Sequence, residues 1–408
     1  MPAVAVVGGG AAGLATAIFA ARRGLSVTVL DAARSLGAKI LVSGGGRCNV
    51  TNRSVEASDF WQARSAFVRR VLSAFTAEDA ARFFGELGVA LHEEPGGKLF
   101  PDTNQARTIL QALVVEAERR GVTLKTAHRV TRVTQVATGF ALETSRGTLE
   151  AERLVLATGG LSLPKTGSDG GGYQLALSLG HSLVPTTPAL VPLVLEGDFH
   201  ASLSGVSHPV VISLYVAGRK RADVGGAMLW THFGISGPAA LDAARFWHRA
   251  QLAAEDVRVV ANLVPPADFS ALEAWLLAEA SANPGRQLDG VLALRLPASI
   301  ATAIPGHLEI DPATSLGRLR REDRRRLVKA LVEWPLPVRD SRGYNFAEVT
   351  SGGVPLSEVN AATMASRQCA GLHLVGEILD VDGRIGGFNF QWAWSTGFVA
   401  ARGMASSP

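Results

Sequence analysis

Three glycines and one aspartate near the start of the chain have the spacing of a nucleotide-phosphate cradle. Gly8, Gly10 and Gly13 follow the apolar run Val4-Ala5-Val6-Val7 and open a second apolar stretch from Leu14 to Arg23, which Gly24 terminates. In a strand, glycine turn and helix, each glycine has its own task. Gly8 permits the tight turn, Gly10 lets the backbone approach a pyrophosphate, and Gly13 allows helix and strand to pack closely. The helix that starts there offers unpaired N–H groups and a partial positive charge to phosphates. Asp31 ends the next strand-like run, Val27 to Leu30, eighteen residues after Gly13. A carboxylate at that point accepts hydrogen bonds from both ribose hydroxyls and disfavours a 2′-phosphate.

The segment that follows does not continue as an ordinary βαβ unit. Lys39 leads into Ser43-Gly44-Gly45-Gly46-Arg47-Cys48-Asn49-Val50-Thr51-Asn52, which supplies backbone amides, a guanidinium and two side-chain amides, enough to wrap a long, permanently bound dinucleotide. Further signatures are Ala157-Thr158-Gly159-Gly160, Thr231-His232-Phe233-Gly234-Ile235-Ser236-Gly237-Pro238, Val349-Thr350-Ser351-Gly352-Gly353-Val354, the run from Gly376 to Gly383, and Gly386-Gly387-Phe388-Asn389-Phe390-Gln391-Trp392-Ala393. Together with the nucleotide fingerprint, these segments make the chain resemble, nearly end to end, the BaiN-like and aminoacetone-oxidase-like family of FAD-dependent oxidoreductases.

That resemblance implies an α/β fold: a Rossmann-type FAD-binding domain interrupted by an inserted β-barrel and a small helical domain. It implies FAD as cofactor, with Gly376, Glu377, Asp380 and the turn of Gly386, Gly387, Phe388, Asn389 and Gln391 closing over the flavin side. It adds Ala12, Lys39, Gly44, Gly45, Arg47, Cys48, Asn49, Val130, Thr158, Gly159 and Gly160 to Gly8, Gly10, Gly13 and Asp31 as cofactor-binding candidates. Asp380 can reach ribityl or pyrophosphate oxygens through hydroxyls or water. Glycine amides ahead of a helix can face the flavin pyrimidine edge, where negative charge develops on reduction. Members of such a family often carry Gly-Asp-Gly after the Thr-Gly-Gly strand, whereas this chain reads Thr166-Gly167-Ser168-Asp169-Gly170-Gly171-Gly172-Tyr173. The aspartate is displaced by two positions, so no role passes to Asp169. No catalytic residue is assigned and no metal ligand set is recognised.

Other reactive residues read first as structure. Cys48 follows Arg47, whose charge would favour a thiolate, but it has no partner cysteine nearby and packing is the simpler role. His232 is as well explained by a structural hydrogen bond as by general acid chemistry. Trp392 and Trp394 fit an aromatic core. Arg318, Arg320, Arg321, Arg324, Arg325 and Arg326 invite a nucleic-acid reading, yet Leu316, Leu319, Leu327 and Leu331 recur at near-helical spacing, which marks a solvated helix face.

These residues need elements to hold them. The 408 residues exceed what one core usually organises. Helices are predicted from about Ala77 to Leu87, Gln105 to Arg120 and Gln391 to Gly403, and β-like stretches near His128–Val136, Phe140–Thr144 and Leu149–Ala157. The texture changes after Pro188: Val191–Leu195, Val210–Val216 and Val257–Leu263 read as strands, and Phe269 to about Val332 as helices broken by prolines. The expected organisation is a discontinuous FAD-binding domain, 1–188 plus 343–408, around an insert at 189–342, with a β-barrel part at about 189–265 and a helical part at about 266–332. The substrate is expected to enter between the two.

With 44 glycines, two cysteines and a net charge of +4, the chain is globular, has no disulfide framework and suits a reducing cytoplasm. It shows no leader and no apolar run of about 18 residues, so a membrane span is not expected. The expected activity is flavin-mediated hydride transfer on a small-molecule substrate. NAD(P)H is the expected electron donor; there is no second GxGxxG for a dedicated nicotinamide domain, which permits it to dock transiently. The alternatives are an oxygen-dependent amine oxidase of aminoacetone-oxidase type, a redox sensor using Cys48, and a flavin-dependent tRNA-modifying protein. No RNP-like or KH-type segment supports a nucleic-acid partner.

Overall fold

The computed structural model describes residues 1–61 and 64–406. The chain divides into two compact units, Met1–Pro188 with Tyr344–Pro408, and Ala189–Gly343.

The first unit is built on a five-stranded parallel sheet. Strand β1 (Val4–Val7) lies at its centre, flanked on one side by β2 (Val27–Leu30) and then Thr123–Lys125, and on the other by Arg153–Leu156 and then Leu372–Leu374. Both faces of such a sheet are covered, so its strands are continuous apolar runs, and all four residues of β1 and of β2 are buried. Helix α1 (Ala11–Ala21) is apolar all round and buried from Ala12 to Ala20. Its other side meets the terminal helix Phe388–Ala405 at Gly397, where a β-carbon would lie 3.0 Å from the Thr16 nitrogen. A glycine lets the two helices approach closely here, so the last eighteen-residue helix closes the core that the first forty residues begin.

The α/β class and the parallel Rossmann core agree with the sequence reading. The stretch read as one strand over Leu149–Ala157 is two. Gly147–Ala151 completes a three-stranded antiparallel sheet with Gly139–Thr144 and Val130–Val136, and Arg153–Leu156 crosses into the parallel sheet. Period-two and fully buried strands merge in sequence when a single residue separates them.

The second unit holds a seven-stranded antiparallel sheet whose edge strands, Trp334–Pro335 and Val338–Ser341, are consecutive in the chain, so the sheet curls back upon itself. Its longest strand, Arg219–Thr231, was not expected, because it opens on Arg-Lys-Arg and contains Gly225-Gly226. Pairing with Ser207–Val216 overrides its weak propensity. The unexpected helix Gly237–Leu252 packs on this sheet through Ala239, Ala240, Ala243, Ala244 and Trp247. Phe269–Ala282, Leu288–Leu292, Ala298–His307 and Arg321–Val332 form the helical part.

Candidate functional site

The nucleotide turn separates its glycines by role. Gly8 has φ +106°, and a β-carbon there would lie 2.4 Å from the Ala157 carbonyl oxygen. At Gly13 the β-carbon would lie 1.8 Å from the Gly8 carbonyl oxygen. Both positions are closed by protein. Gly10 is different: a β-carbon there meets nothing within 4 Å, at the point where the first N–H groups of α1 are unpaired within the helix. Asp31 follows β2 directly. Its Oδ2 accepts from the Gly9 N–H at 2.7 Å and its Oδ1 from the Ala33 N–H at 2.7 Å, which fixes the carboxylate at the turn and leaves each oxygen a further lone pair. The His128 N–H donates to the Asp31 carbonyl at 2.8 Å and the Ala127 N–H to that of Ala33 at 2.7 Å, so the chain leading into half-buried Val130 runs beside the same aspartate.

Around the C-terminal ends of the strands a second group assembles. Thr350 Oγ1 accepts from the N–H groups of Leu161 and Ser162 at 2.7 and 3.0 Å, fixing the loop that carries Thr158, Gly159 and Gly160. Glu377 Oε1 accepts from Ser162 Oγ at 2.7 Å and from the Thr350 N–H at 2.9 Å, and its Oε2 from Lys39 Nζ at 2.5 Å. Lys39 also donates to Ser162 Oγ at 2.6 Å. Lys39 and Glu377 were read as separate cofactor contacts; they neutralise each other and tie four chain segments together. Gly376, at φ +75°, presses on Ala12, its β-carbon lying 2.7 Å from that of the alanine if built. The Asp380 N–H donates to the Val354 carbonyl at 2.9 Å. Tyr173, which the sequence did not single out, is buried beside them. Burial, with the negative charge of Glu377 and Asp380 and the phenol of Tyr344, pushes its hydroxyl well above the ordinary range. Ser162 and Thr350 were likewise missed, because serine and threonine carry no signature until the loops meet.

The third group is the Ser43–Asn52 loop and the start of the terminal helix. Gly44 and Gly45 adopt φ +55° and +68°, and a β-carbon on Gly45 meets nothing within 4 Å. Asn49 is buried, its Oδ1 has no hydrogen-bond partner, and it lies against Gly387, whose β-carbon would approach that oxygen to 2.8 Å. Asn52 Nδ2 donates to the Gly386 carbonyl at 3.1 Å.

Several side chains expected at the cofactor turn inward. Asn389 pairs through both amide atoms with the Gly383 backbone, at 2.8 and 3.0 Å. Gln391 is buried, accepting from Thr51 Oγ1 at 2.7 Å and donating to the Phe75 carbonyl at 2.9 Å. Phe388 is buried beneath the Arg384 guanidinium, 4.2 Å from the ring centroid. These three position the start of the terminal helix. Trp392 and Trp394 are core residues, their indole N–H groups donating to Gly376 O at 3.2 Å and Val50 O at 2.9 Å.

Arg47 does not activate Cys48. Its guanidinium pairs with Glu94 at 2.5 Å and covers the Phe100 ring at 4.2 Å. Cys48 is fully buried, and burial, partly offset by a hydrogen bond with Ser43, pushes its thiol up to about 12. We expect Cys48 to resist thiol reagents at pH 8 until the protein unfolds, and Cys48→Ala to leave flavin reduction and reoxidation unchanged. Rapid labelling of the native protein, or lost reoxidation in the variant, would restore the sensor reading.

The displaced Asp169 has a partner of its own. Its Oδ2 lies 2.8 Å from Arg129 Nη2, and its Oδ1 accepts from the Gly171 N–H at 3.1 Å. Burial opposes ionisation, but these contacts hold the carboxyl below its ordinary range. The pair ties the segment before Val130 to the glycine turn before Tyr173. In the second unit His232 lies against Phe233. The arginine run is largely engaged internally: Arg320 and Arg326 with Asp323 at 2.7 and 3.3 Å, Arg324 with Glu273 at 3.6 Å, and Arg325 over Phe269 at 5.4 Å. Among the described residues no cluster of acids, histidines and cysteines could hold a metal, and no helix is long and apolar enough to cross a membrane.

Residues 2–403 match the family described as HI0933-like protein Rossmann domain. The chain is 36% identical, over 98% of both chains, to a protein named ribosomal RNA dihydrouridine synthase from Escherichia coli K12. It is 33% identical, over the whole of both chains, to a protein named 3-dehydro-bile acid delta(4,6)-reductase from Clostridium scindens. Its fold is similar to that of 3-ketosteroid delta1-dehydrogenase from Sterolibacterium denitrificans, with a TM-score of 0.50, 14% identity and full coverage of both chains. The sequence match over nearly the whole chain and the parallel nucleotide-binding core together place this protein in the HI0933-like Rossmann family, as an FAD-binding oxidoreductase.

Proposed function

We propose that the protein is an FAD-dependent reductase that saturates a carbon–carbon double bond conjugated to a carbonyl, with NAD(P)H docking transiently to supply electrons. The observation that carries this reading is end-to-end similarity to two relatives whose names denote the same bond change, the uracil ring double bond in one and a steroid dienone in the other. The residues fit FAD. The open space at Gly10 lies at the α1 N-terminus for the pyrophosphate, and Asp31 is held beside it for the ribose. The buried, unpartnered Asn49 oxygen next to Gly387 suits an N–H donor on the pyrimidine edge. When bound, the flavin would supply the hydride. The chain's part is to hold it and to stabilise negative charge at that edge with the first N–H groups of the terminal helix. The neutral Tyr173 phenol, behind Gly160 and Thr350, keeps the Glu377 cluster from carrying a further charge.

A second reading concerns the substrate: a uracil base in RNA, favoured by the 36% identity to the dihydrouridine synthase. Arg320, Arg324 and Arg326 of the arginine run are paired with Asp323 and Glu273, which reduces the free positive charge this run offers to RNA. The test is an absorption spectrum followed by anaerobic NADH or NADPH. Flavin bands that bleach, and that return on adding a conjugated enone or uridine-containing RNA with two hydrogens gained by the acceptor, are expected. Bands that persist with NAD(P)H but bleach with aminoacetone would replace the reductase by an amine oxidase. Protein that cannot be loaded with FAD would overturn both.

A further inference from the structure

We infer that the ion pair of Arg129 and Asp169 is a salt-sensitive clasp that retains the adenosine end of FAD in the first unit; this rests on FAD binding and is independent of the substrate. In the parallel sheet, Arg153–Leu156, β1, β2 and Thr123–Lys125 lie side by side in that order and run the same way. Their C-terminal ends share one edge, the place where open α/β sheets bind nucleotides. The two inner strands lead into the glycine turn and into Asp31, and the two outer ones supply the chains that carry the pair. Beyond Lys125 the chain crosses the end of β2, where the Ala127 and His128 N–H groups donate to the Ala33 and Asp31 carbonyls, and Arg129 comes next. Beyond Leu156 the chain passes through Thr158, Gly159 and Gly160 and returns to them at Asp169. There the Gly170 N–H donates to the Gly160 carbonyl at 3.1 Å, and a β-carbon on Gly159 would lie 2.7 Å from Ser168 Oγ.

The contact of Asp169 Oδ2 with Arg129 Nη2, at 2.8 Å, thus links the chains that leave the outer strands, and the glycine turn and Asp31 lie between its two anchors. Asp31 is the group placed for the adenosine ribose, which makes adenosine the part of FAD next to the pair. Both partners are set in advance. The Arg129 N–H donates to Ser145 Oγ at 3.2 Å, and its carbonyl accepts from the Ser145 N–H at 2.9 Å. Asp169 Oδ1 accepts from the Gly171 N–H at 3.1 Å, which leaves Oδ2 for the guanidinium. Gly167 and Gly170, at φ +103° and +81°, make the bends on either side of the aspartate. At the more usual place, two positions later, an aspartate would open the helix Gly171–Ser178; here it precedes that helix and meets Arg129. The two side chains are 49% and 35% exposed. A pair so open to water adds little to the stability of a fold and is screened by salt, so it is better suited to opening and closing than to holding a core.

The experiment measures the rate at which the FAD-loaded full chain releases flavin after dilution, followed by the fluorescence of the freed flavin, at about 0.1 M and about 1 M sodium chloride, between which the screening length falls from about 10 Å to about 3 Å. Arg129→Gln and Asp169→Asn should each release FAD about two- to fivefold faster than wild type at the lower salt, the size of effect an exposed pair supports. Asp169→Asn keeps an acceptor for the Gly171 N–H and removes only the charge. At the higher salt both variants should converge on wild type, because screening has already opened the clasp. The readout is the ratio of variant to wild-type rate, since salt acts on the FAD pyrophosphate in all of them alike. Arg129→Lys should stay close to wild type at both salts. Variants that match wild type at the lower salt, or a ratio that salt leaves unchanged, would overturn the clasp and leave the pair a part of the fold alone. Slower release from Asp169→Asn would also overturn it, by showing that Arg129, once free, serves the FAD phosphates itself. Wild type that takes up no FAD would overturn the clasp and the FAD reading together.

Discussion

Gly10→Ala is expected to yield a folded protein that no longer retains FAD, while Gly13→Ala should lose both fold stability and flavin. The two positions belong to one fingerprint, yet their surroundings are opposite. At Gly10 a methyl group touches no protein atom within 4 Å, and the backbone there, at φ −84° and ψ −166°, suits any residue. The cost to the fold is a poorer N-cap, at most about 1 kcal/mol. If the pyrophosphate occupies that space, the methyl group keeps it from the α1 amides, and affinity should fall at least tenfold, about 1.4 kcal/mol. At Gly13 the added carbon would meet the Gly8 carbonyl oxygen at 1.8 Å. No side chain can swing away, so β1 and α1 must separate. Overpacking of this kind costs typically 1–3 kcal/mol. A clash between backbone atoms belongs at the upper end, about 3 kcal/mol, a large fraction of the roughly 5–15 kcal/mol that holds a domain folded. Thermal unfolding followed by near-UV signal, together with released-flavin fluorescence, separates the two. Equal flavin retention in Gly10→Ala and wild type would remove the phosphate from this turn.

Glu377→Ala should destabilise the first unit by about 2–3 kcal/mol. The carboxylate has three donors, Lys39 Nζ, Ser162 Oγ and the Thr350 N–H, and Lys39 also donates to Ser162 Oγ. Its loss leaves a lysine only 24% exposed without a counter-charge, and removing one partner of a buried pair costs about 3–5 kcal/mol, less where water still reaches. Lys39→Met in the Glu377→Ala background should recover part of the loss, with a coupling of about 1–3 kcal/mol. The measurement is denaturant unfolding of the four proteins of the cycle. Additive losses would show that Lys39 and Glu377 do not act as a pair, and would return each to the role of a separate cofactor contact.

Much of the first unit was legible because local rules and the global fold agree there. Apolar strands, a glycine turn, and an acidic residue at the end of β2 are all read within thirty-one residues, and the structure holds Asp31 against the turn of Gly8, Gly10 and Gly13 through its hydrogen bond from the Gly9 N–H. The strand Arg219–Thr231 was not legible, since its own residues have weak strand propensity and its stability comes from pairing with the apolar strand Ser207–Val216. Nor was the break at Glu152, where the chain leaves one sheet for another.

The site divides in the same way. By itself the sequence determined the nucleotide turn, the parallel core and the glycines at which only a backbone without a β-carbon fits, because these depend on short-range sterics. Which polar side chain turns toward a ligand and which toward its neighbours was decided only by tertiary structure. Lys39 and Glu377 meet across most of the chain, Asn389 and Gln391 turn into the protein, and Arg47 finds Glu94 instead of the thiol next to it. A charge or an amide is drawn to whichever complementary group the fold brings within hydrogen-bonding distance, and sequence separation carries no record of that distance.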